Sequence, residues 1–157
     1  IGTAVGYSAM CFSEYLQPDG QIDTIERDTE RVAEARINIE KVGVANLINI
    51  YEGDAVEILP TLNEKYDMVF IDAAKAQYTK FFDLYSPLLT SKGVIVCDNM
   101  LFHGLVENEE EYQNQTRAVR GLIRKLANFH KVLLENADYD TSIFEIGDGM
   151  AVSVKKD

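Results

Sequence analysis

The sequence predicts an α/β fold: a doubly wound, mostly parallel sheet that takes one antiparallel strand from a C-terminal hairpin. Three observations carry this. Short apolar runs of β character alternate with segments of helical period along all 157 residues, with no repeat, low-complexity tract or linker. Two of those runs, "YDMVFIDAAK" (Tyr66 to Lys75) and "GVIVCDN" (Gly93 to Asn99), read as buried strands that stop on an aspartate. The chain then closes with two further runs across Gly147-Asp148-Gly149, the pattern of a hairpin. Helical connections between the early strands require parallel pairing with right-handed crossovers, and a sheet wound that way binds ligands outside the carboxyl ends of its strands.

The elements follow in order. Ile1 and Gly2 read as the last residues of a strand, and Tyr7 to Leu16 as a helix ended by the Pro18-Asp19-Gly20 turn. Gln21 to Glu26 is a strand. Asp28 or Thr29 caps a helix through Val32, Ala35, Ile39 and Val42 that stops at Gly43. Leu47 to Tyr51 is a short strand, and Ala55 to Leu62 a short helix broken near Pro60. Beyond the strand ending at Asp72, Phe81, Phe82, Tyr85, Leu88 and Leu89 recur at helical spacing. After Asp98 comes an irregular stretch, Met100 to Asn114, with the acidic run Glu107 to Glu111. A long helix places Val119, Leu122, Ile123, Leu126, Phe129, Leu133 and Leu134 on one face. Thr141 to Ile146 and Met150 to Val154 form the hairpin.

Bulk properties narrow the function classes. A chain of 157 residues suits one domain with a proper core, and 46% hydrophobic with 26% charged residues is ordinary for a globular protein. No apolar run approaches the roughly 18 residues of a membrane span, so no membrane partner is expected. Cys11 and Cys97 make no disulfide framework and read as small buried hydrophobes in a reducing compartment. With no basic-then-apolar leader pattern, a cytoplasmic protein is expected. A net charge of −11 argues against a dedicated nucleic-acid binder, although a local basic face survives such a sum.

The chemistry gathers at strand ends. Asp72 with Lys75 three residues on, and Asp98 with Asn99 beside it, bring three oxygen ligands and one amine to a single sheet edge. That set suits a hard cation such as Mg²⁺ and a proton acceptor. A substrate with two adjacent oxygens would chelate there, and Lys75 is close enough along the chain to receive its proton. The plainer reading has both acids capping the helices that follow. Upstream, "IGTAVGYS" (Ile1 to Ser8) is a glycine-bearing turn, with Gly2 and Gly6 opening a helix whose free N–H groups face a ligand. Glu26 ends the next strand, where an acid can accept hydrogen bonds from ribose hydroxyls. Gly53-Asp54-Ala55 ends the third, where a polar group and a small residue can bracket an adenine. Together they point to an adenosine-bearing cofactor without saying which.

"IGTAVGYS", "TIERD", "GDA", "FIDAAK", "CDNMLFHG" and "IGDGMAVSVKK", in that order over nearly the whole chain, resemble the cation-dependent O-methyltransferases that use S-adenosylmethionine. These are the bacterial relatives of catechol and caffeoyl-CoA O-methyltransferases. The resemblance implies a Rossmann-like methyltransferase sheet. It implies that Gly2, Tyr7 and Ser8 hold the methionine part of the cofactor, Glu26 the ribose, and Asp54 and Ala55 the adenine side. It also implies Asp72, Asp98 and Asn99 as ligands of Mg²⁺ or another divalent cation, with Asp72 also beside the cofactor, and Lys75 as the base-like residue. Two departures bear on the acceptor. Many members carry an acid where Ala74 stands and Trp where Phe102 stands. "DAAKAQY", "FFDLY" and "DNMLFHGLV" look closest to the branch that methylates 5-hydroxyuridine in tRNA, a base whose 5-hydroxyl and 4-carbonyl pair much like a catechol.

The acceptor is accordingly expected to be tRNA or a small catechol-like phenol. One feature fits RNA independently: Arg117, Arg120 and Arg124 fall at i, i+3 and i+7 away from the apolar face of the long helix, with Lys131 two turns on. A solvated face paired with Glu109 to Glu111 explains the same spacing. His103 either touches the acceptor or lies on the surface, and His130 reads as structural. Residues 1–157 are expected to be an S-adenosylmethionine-dependent methyltransferase domain, N-terminally incomplete because a central strand cannot start at its last residues. The resemblance places helices before Ile1 that help build a homodimer. Competing readings are a nicotinamide-dependent oxidoreductase, against which the missing third glycine and the Asp-Asn pair count, and a non-catalytic cofactor-binding domain.

Overall fold

The computed structural model describes residues 1–58, 62–106 and 109–157, with nothing described of the Glu109 side chain. The chain divides into two compact units, Ile1–Asn63 and Glu64–Asp157. Among the described residues no helix is long and apolar enough to cross a membrane.

In the first unit, α1 (Tyr7–Ser13), β1 (Ile22–Glu26), α2 (Thr29–Val42), β2 (Ile48–Glu52) and α3 (Ala55–Ile58) follow one another. β1 and β2 pair in parallel, Ile22 against Ile48 through Glu26 against Glu52, as a helical crossover demands. α2 starts and stops where its sequence signals lie. The Asp28 carboxylate accepts from the N–H groups of Glu30 (3.0 Å) and Arg31 (3.1 Å), and Gly43 ends the helix in the left-handed region at φ 82°. Asp28→Ala leaves those donors without a side-chain partner, and thermal unfolding should show a loss of about 1 kcal/mol. One core cluster of this unit is Ala9, Ile39 and Ile48, with Met10, Ile22, Val44, Leu47 and Ile50 packed on it.

Two expectations shift here. Residues 1–3 are not strand, although Gly2 and Thr3 both donate N–H groups to the Ile25 carbonyl (3.0 and 3.2 Å). α1 ends at Ser13, short of Leu16, because the N–H groups of Glu14 and Tyr15 turn back to Cys11 and Phe12 in tight i→i+3 bonds. The break expected near Pro60 lies outside the described residues.

In the second unit, β3 (Tyr66–Ile71), α4 (Tyr78–Tyr85), β4 (Leu89–Asp98), α5 (Glu109–Gln113), α6 (Arg117–Glu135), β5 (Tyr139–Phe144) and β6 (Met150–Lys155) build a four-stranded sheet in the order β3-β4-β6-β5. β3 and β4 are parallel, whereas β6 runs antiparallel to both β4 and β5, so the hairpin inserts one reversed strand as expected. Leu89 belongs to β4, paired with Tyr66, and not to the preceding helix. Pro87 has no N–H to continue α4, so the chain closes a 3₁₀ turn at Ser86–Leu88 and extends. The stretch expected to be irregular holds the short helix α5, and the Glu107 and Asn108 part of the acidic run lies outside the described residues.

The apolar face of α6 does what its period requires. Ile123, Leu126, Phe129 and Leu133 are buried, Val119 and Leu122 half-buried, while Leu134 points outward. Phe129 meets Tyr78 and Phe82 edge-on, centroids 5.8 and 6.1 Å apart, and Phe82 meets Tyr139 at 5.2 Å. Edge-on aromatic pairs add about 0.5–1.5 kcal/mol each beyond their burial. Cys97 is buried as expected and burial pushes its thiol up to about 12, while Cys11 is half-buried; both are free.

Candidate active site

The first unit offers a tied-down turn. Gly2 and Gly6 take φ of 96° and 89°, and Ala4 φ of 47°, so the chain folds back tightly over residues 2–6. A Cβ on Gly6 would also press on Ile39 at 3.4 Å. Glu26 anchors this turn: one carboxylate oxygen accepts the Ala4 N–H (2.9 Å), the other those of Arg27 (3.0 Å) and Asp28 (3.1 Å). It is only 9% exposed, so the acid is an integral part of the turn as well as a candidate for hydroxyls. Thr3 and Thr24 share a buried hydroxyl hydrogen bond of 2.8 Å beneath it. No side chain caps the N-terminus of α1, where Tyr7 stands 71% exposed and Ser8 half-buried. A hydrogen bond with Cys11 raises the Tyr7 hydroxyl. Asp54 accepts the Val56 N–H (2.9 Å) and so starts α3, with Ala55 buried beside it. Glu26 thus ends β1, Asp54 and Ala55 stand at the start of α3, Tyr7 and Ser8 open α1, and Gly2 lies in the turn before it.

The second unit assembles the acids. Parallel register sets Ile71 against Cys97, so the residues that follow, Asp72 and Asp98, leave adjacent strands side by side. Asn99 bridges them. Its Nδ2 donates to Asp72 Oδ1 (3.0 Å) and its backbone N–H to Asp98 Oδ1 (2.7 Å), from a left-handed φ of 58°. All three are half-buried. The donor set is two carboxylates and an amide oxygen, all hard, which is the chemistry Mg²⁺ selects. Among the described residues no group of three His, Cys, Asp or Glu side chains offers a softer or more highly charged alternative. Lys75 begins a 3₁₀ turn three residues past Asp72; it is half-buried, and its amine forms no ion pair among the described residues.

Three further groups support this cluster. The Tyr78 hydroxyl donates to the Asp98 carbonyl (3.0 Å); its burial, with Asp72, Cys97 and Asp98 nearby, raises it well above the usual phenol range, so it stays a proton donor. Its signal was its place one turn beyond Lys75 in "DAAKAQY". His130 Nε2 pairs with the Met100 carbonyl at 2.8 Å, in keeping with its structural reading. The Gly147-Asp148-Gly149 turn clasps the segment after Asn99: Met100 donates to the Gly149 carbonyl (2.9 Å), Leu101 to that of Asp148 (2.8 Å), and the His103 N–H to the Asp148 carboxylate. The turn was legible as a hairpin, but its second partner lies some fifty positions upstream, where no local pattern reports it. His103 itself is exposed, its ring nitrogen 3.8 Å from Asp148.

Comparison with known proteins identifies the family. The O-methyltransferase family profile matches residues 1–156. A catechol O-methyltransferase of Niastella koreensis is 34% identical over 99% of this chain and 72% of its own length. The crystal structure of a candidate caffeoyl-CoA O-methyltransferase from Staphylococcus aureus superposes with a TM-score of 0.90 at 38% identity, over 98% of this chain and 73% of that one. The O-methyltransferase TomG of Streptomyces achromogenes, solved in complex with S-adenosylmethionine, gives 0.85 at 27% identity over 99% and 71%. The oxidoreductase and non-catalytic readings give way: this chain belongs to the O-methyltransferase family, enzymes that draw their methyl group from S-adenosylmethionine.

Proposed function

We propose that residues 1–157 act as one S-adenosylmethionine-dependent, Mg²⁺-assisted O-methyltransferase domain whose acceptor carries a hydroxyl beside a second oxygen, as in a catechol-like phenol or the 5-hydroxyuridine of tRNA. The observation that carries this reading is the Asp72–Asn99–Asp98 set with Lys75 three residues from Asp72. Gly2, Tyr7 and Ser8 take the methionine end of the cofactor, Glu26 the ribose, and Asp54 and Ala55 the adenine side. Asp72, Asp98 and Asn99 hold the cation, which when bound supplies Lewis-acid polarisation of the acceptor's paired oxygens. The Lys75 amine takes the proton from the acceptor hydroxyl. When bound, the cofactor would supply a sulfonium methyl that passes to the acceptor oxygen as its carbon–sulfur bond breaks and a neutral thioether leaves, and positioning would supply much of the gain. Tyr78 and the Asp148–Gly149 turn keep the end of β4 in place.

Methyl transfer to a catechol and to tRNA bearing 5-hydroxyuridine, assayed with and without EDTA, tests this. Loss of transfer on chelation and recovery with Mg²⁺ are expected; turnover indifferent to the chelator removes the cation from the reading. The same reading takes the enzyme as a cytoplasmic homodimer, which sedimentation equilibrium checks.

A further inference from the structure

Asn99 carries a side chain yet takes a left-handed backbone at φ 58°. That region is disfavoured for an L-residue, so the surrounding structure must hold it there. The chain is pinned on both sides of it. Ahead of Asn99, the Asp98 carbonyl accepts from the Tyr78 hydroxyl (3.0 Å), and the Asn99 N–H goes to Asp98 Oδ1 (2.7 Å). Behind it, the Met100 N–H donates to the Gly149 carbonyl (2.9 Å), and the Met100 carbonyl pairs with His130 Nε2 (2.8 Å).

His130 reaches this segment from α6, thirty positions along the chain. A carbonyl only accepts, so Nε2 carries the hydrogen, in the neutral ring as in the charged one. The bond therefore does not depend on the charge of the ring, which suits a fixed prop and not a proton carrier. Met100 is fully buried, so its carbonyl has no water to turn to if that donor is lost. Phe129, the residue before His130, is buried edge-on against Tyr78 with centroids 5.8 Å apart. One aromatic contact thus sets the spacing between α4, which holds the peptide before Asn99, and α6, which holds the residue after it.

We propose that His130 is a positioning residue for the cation site: by holding the Met100 carbonyl it keeps Asn99 left-handed, with its amide set against Asp72. Groups that orient the ligands of a metal without touching it matter nearly as much as the ligands themselves. The inference rests on the cation reading above for what Asn99 holds, but not for the brace itself. It also differs from a packing role. Packing asks only for volume at position 130, whereas the brace asks for a hydrogen-bond donor at one place.

Mn²⁺ titrated into the whole chain, with the free ion followed by electron paramagnetic resonance, tests this alongside amide hydrogen exchange of the metal-free chain. H130L keeps the bulk but removes the donor, and should weaken Mn²⁺ about 10–100-fold. In the metal-free chain it should speed exchange of the Asn99, Met100 and Leu101 amides about tenfold, the effect of one lost hydrogen bond. H130Q puts its amide nitrogen the same number of bonds from the backbone and should recover most of both. H130N, one bond too short, should resemble H130L and stands in for it if leucine unfolds the chain. L133A truncates the buried face of the same helix, so it should lower the melting temperature and leave Mn²⁺ affinity at the parent value. Where the parent binds Mn²⁺, the proposal fails if H130L matches the parent in either readout, if H130Q does no better than H130L, or if L133A weakens Mn²⁺ equally. A parent chain that binds no Mn²⁺ would instead sink the cation reading, and exchange alone then decides: faster in H130L, the brace stands; unchanged, it falls too.

Discussion

Lys75→Met is expected to lower methyl transfer by about 10²–10⁴-fold, the usual contribution of a placed general base. The half-buried Lys75 opens the 3₁₀ turn that follows Asp72, and methionine keeps the length and most of the packing while removing the proposed proton acceptor. Asp72→Ala should do comparable damage by another route. It removes one of two carboxylates and also the acceptor of the Asn99 side chain, so two of three oxygen donors lose their placement together. The two variants separate in their responses. Small primary amines added to Lys75→Ala should restore part of the rate, and raised Mg²⁺ should restore part of it in Asp72→Ala. Steady-state transfer of a labelled methyl group measures both. A Lys75→Met enzyme with parent activity would remove the base role.

Gly149→Ala should destabilise the protein by about 2–4 kcal/mol. A Cβ there would clash with Leu101 Cγ and lie 2.9 Å from its backbone nitrogen, and the residue takes φ of 83°. Left-handed backbone costs an L-residue about 1–2 kcal/mol, and overpacking about 1–3. Leu101 cannot withdraw easily, because its N–H is bonded to the Asp148 carbonyl and Met100 beside it is fully buried. Strain would pass along two residues to Asn99, so activity should fall further than stability alone explains. A melting temperature lowered by about 5–15 °C is the expected result; an unchanged one would show that the clasp yields freely.

Much of the site was legible because it is local. Glycine placement, a strand-ending acid and a lysine three positions on are written in consecutive letters, and strand ends in an α/β sheet gather such residues by topology. The helix caps at Asp28 and Gly43 were legible for the same reason. Less was readable where partners are distant or a single residue breaks a pattern. Leu89 continues the helical period of α4, yet Pro87 has no N–H to donate and the chain turns into β4. The acidic run looked loop-like by composition, but Glu109–Gln113 form a turn of helix that packs beside α6.

The sequence by itself determined the alternation of strands and helices, the reversed last strand and the residues proposed to carry the chemistry. Each follows from periodicity, capping and motif order, which are short-range properties. The tertiary structure alone decided that Asn99 ties Asp72 to Asp98, that Glu26 is spent partly on holding the Gly2–Gly6 turn, and that the Gly147–Gly149 hairpin clasps the segment beyond Asn99. It also brought Arg117, Arg120 and Arg124 of α6 around one hollow with Tyr112 and Gln113. Hydrogen bonds and charge clusters depend on distances between residues far apart in the chain, and only packing sets those distances.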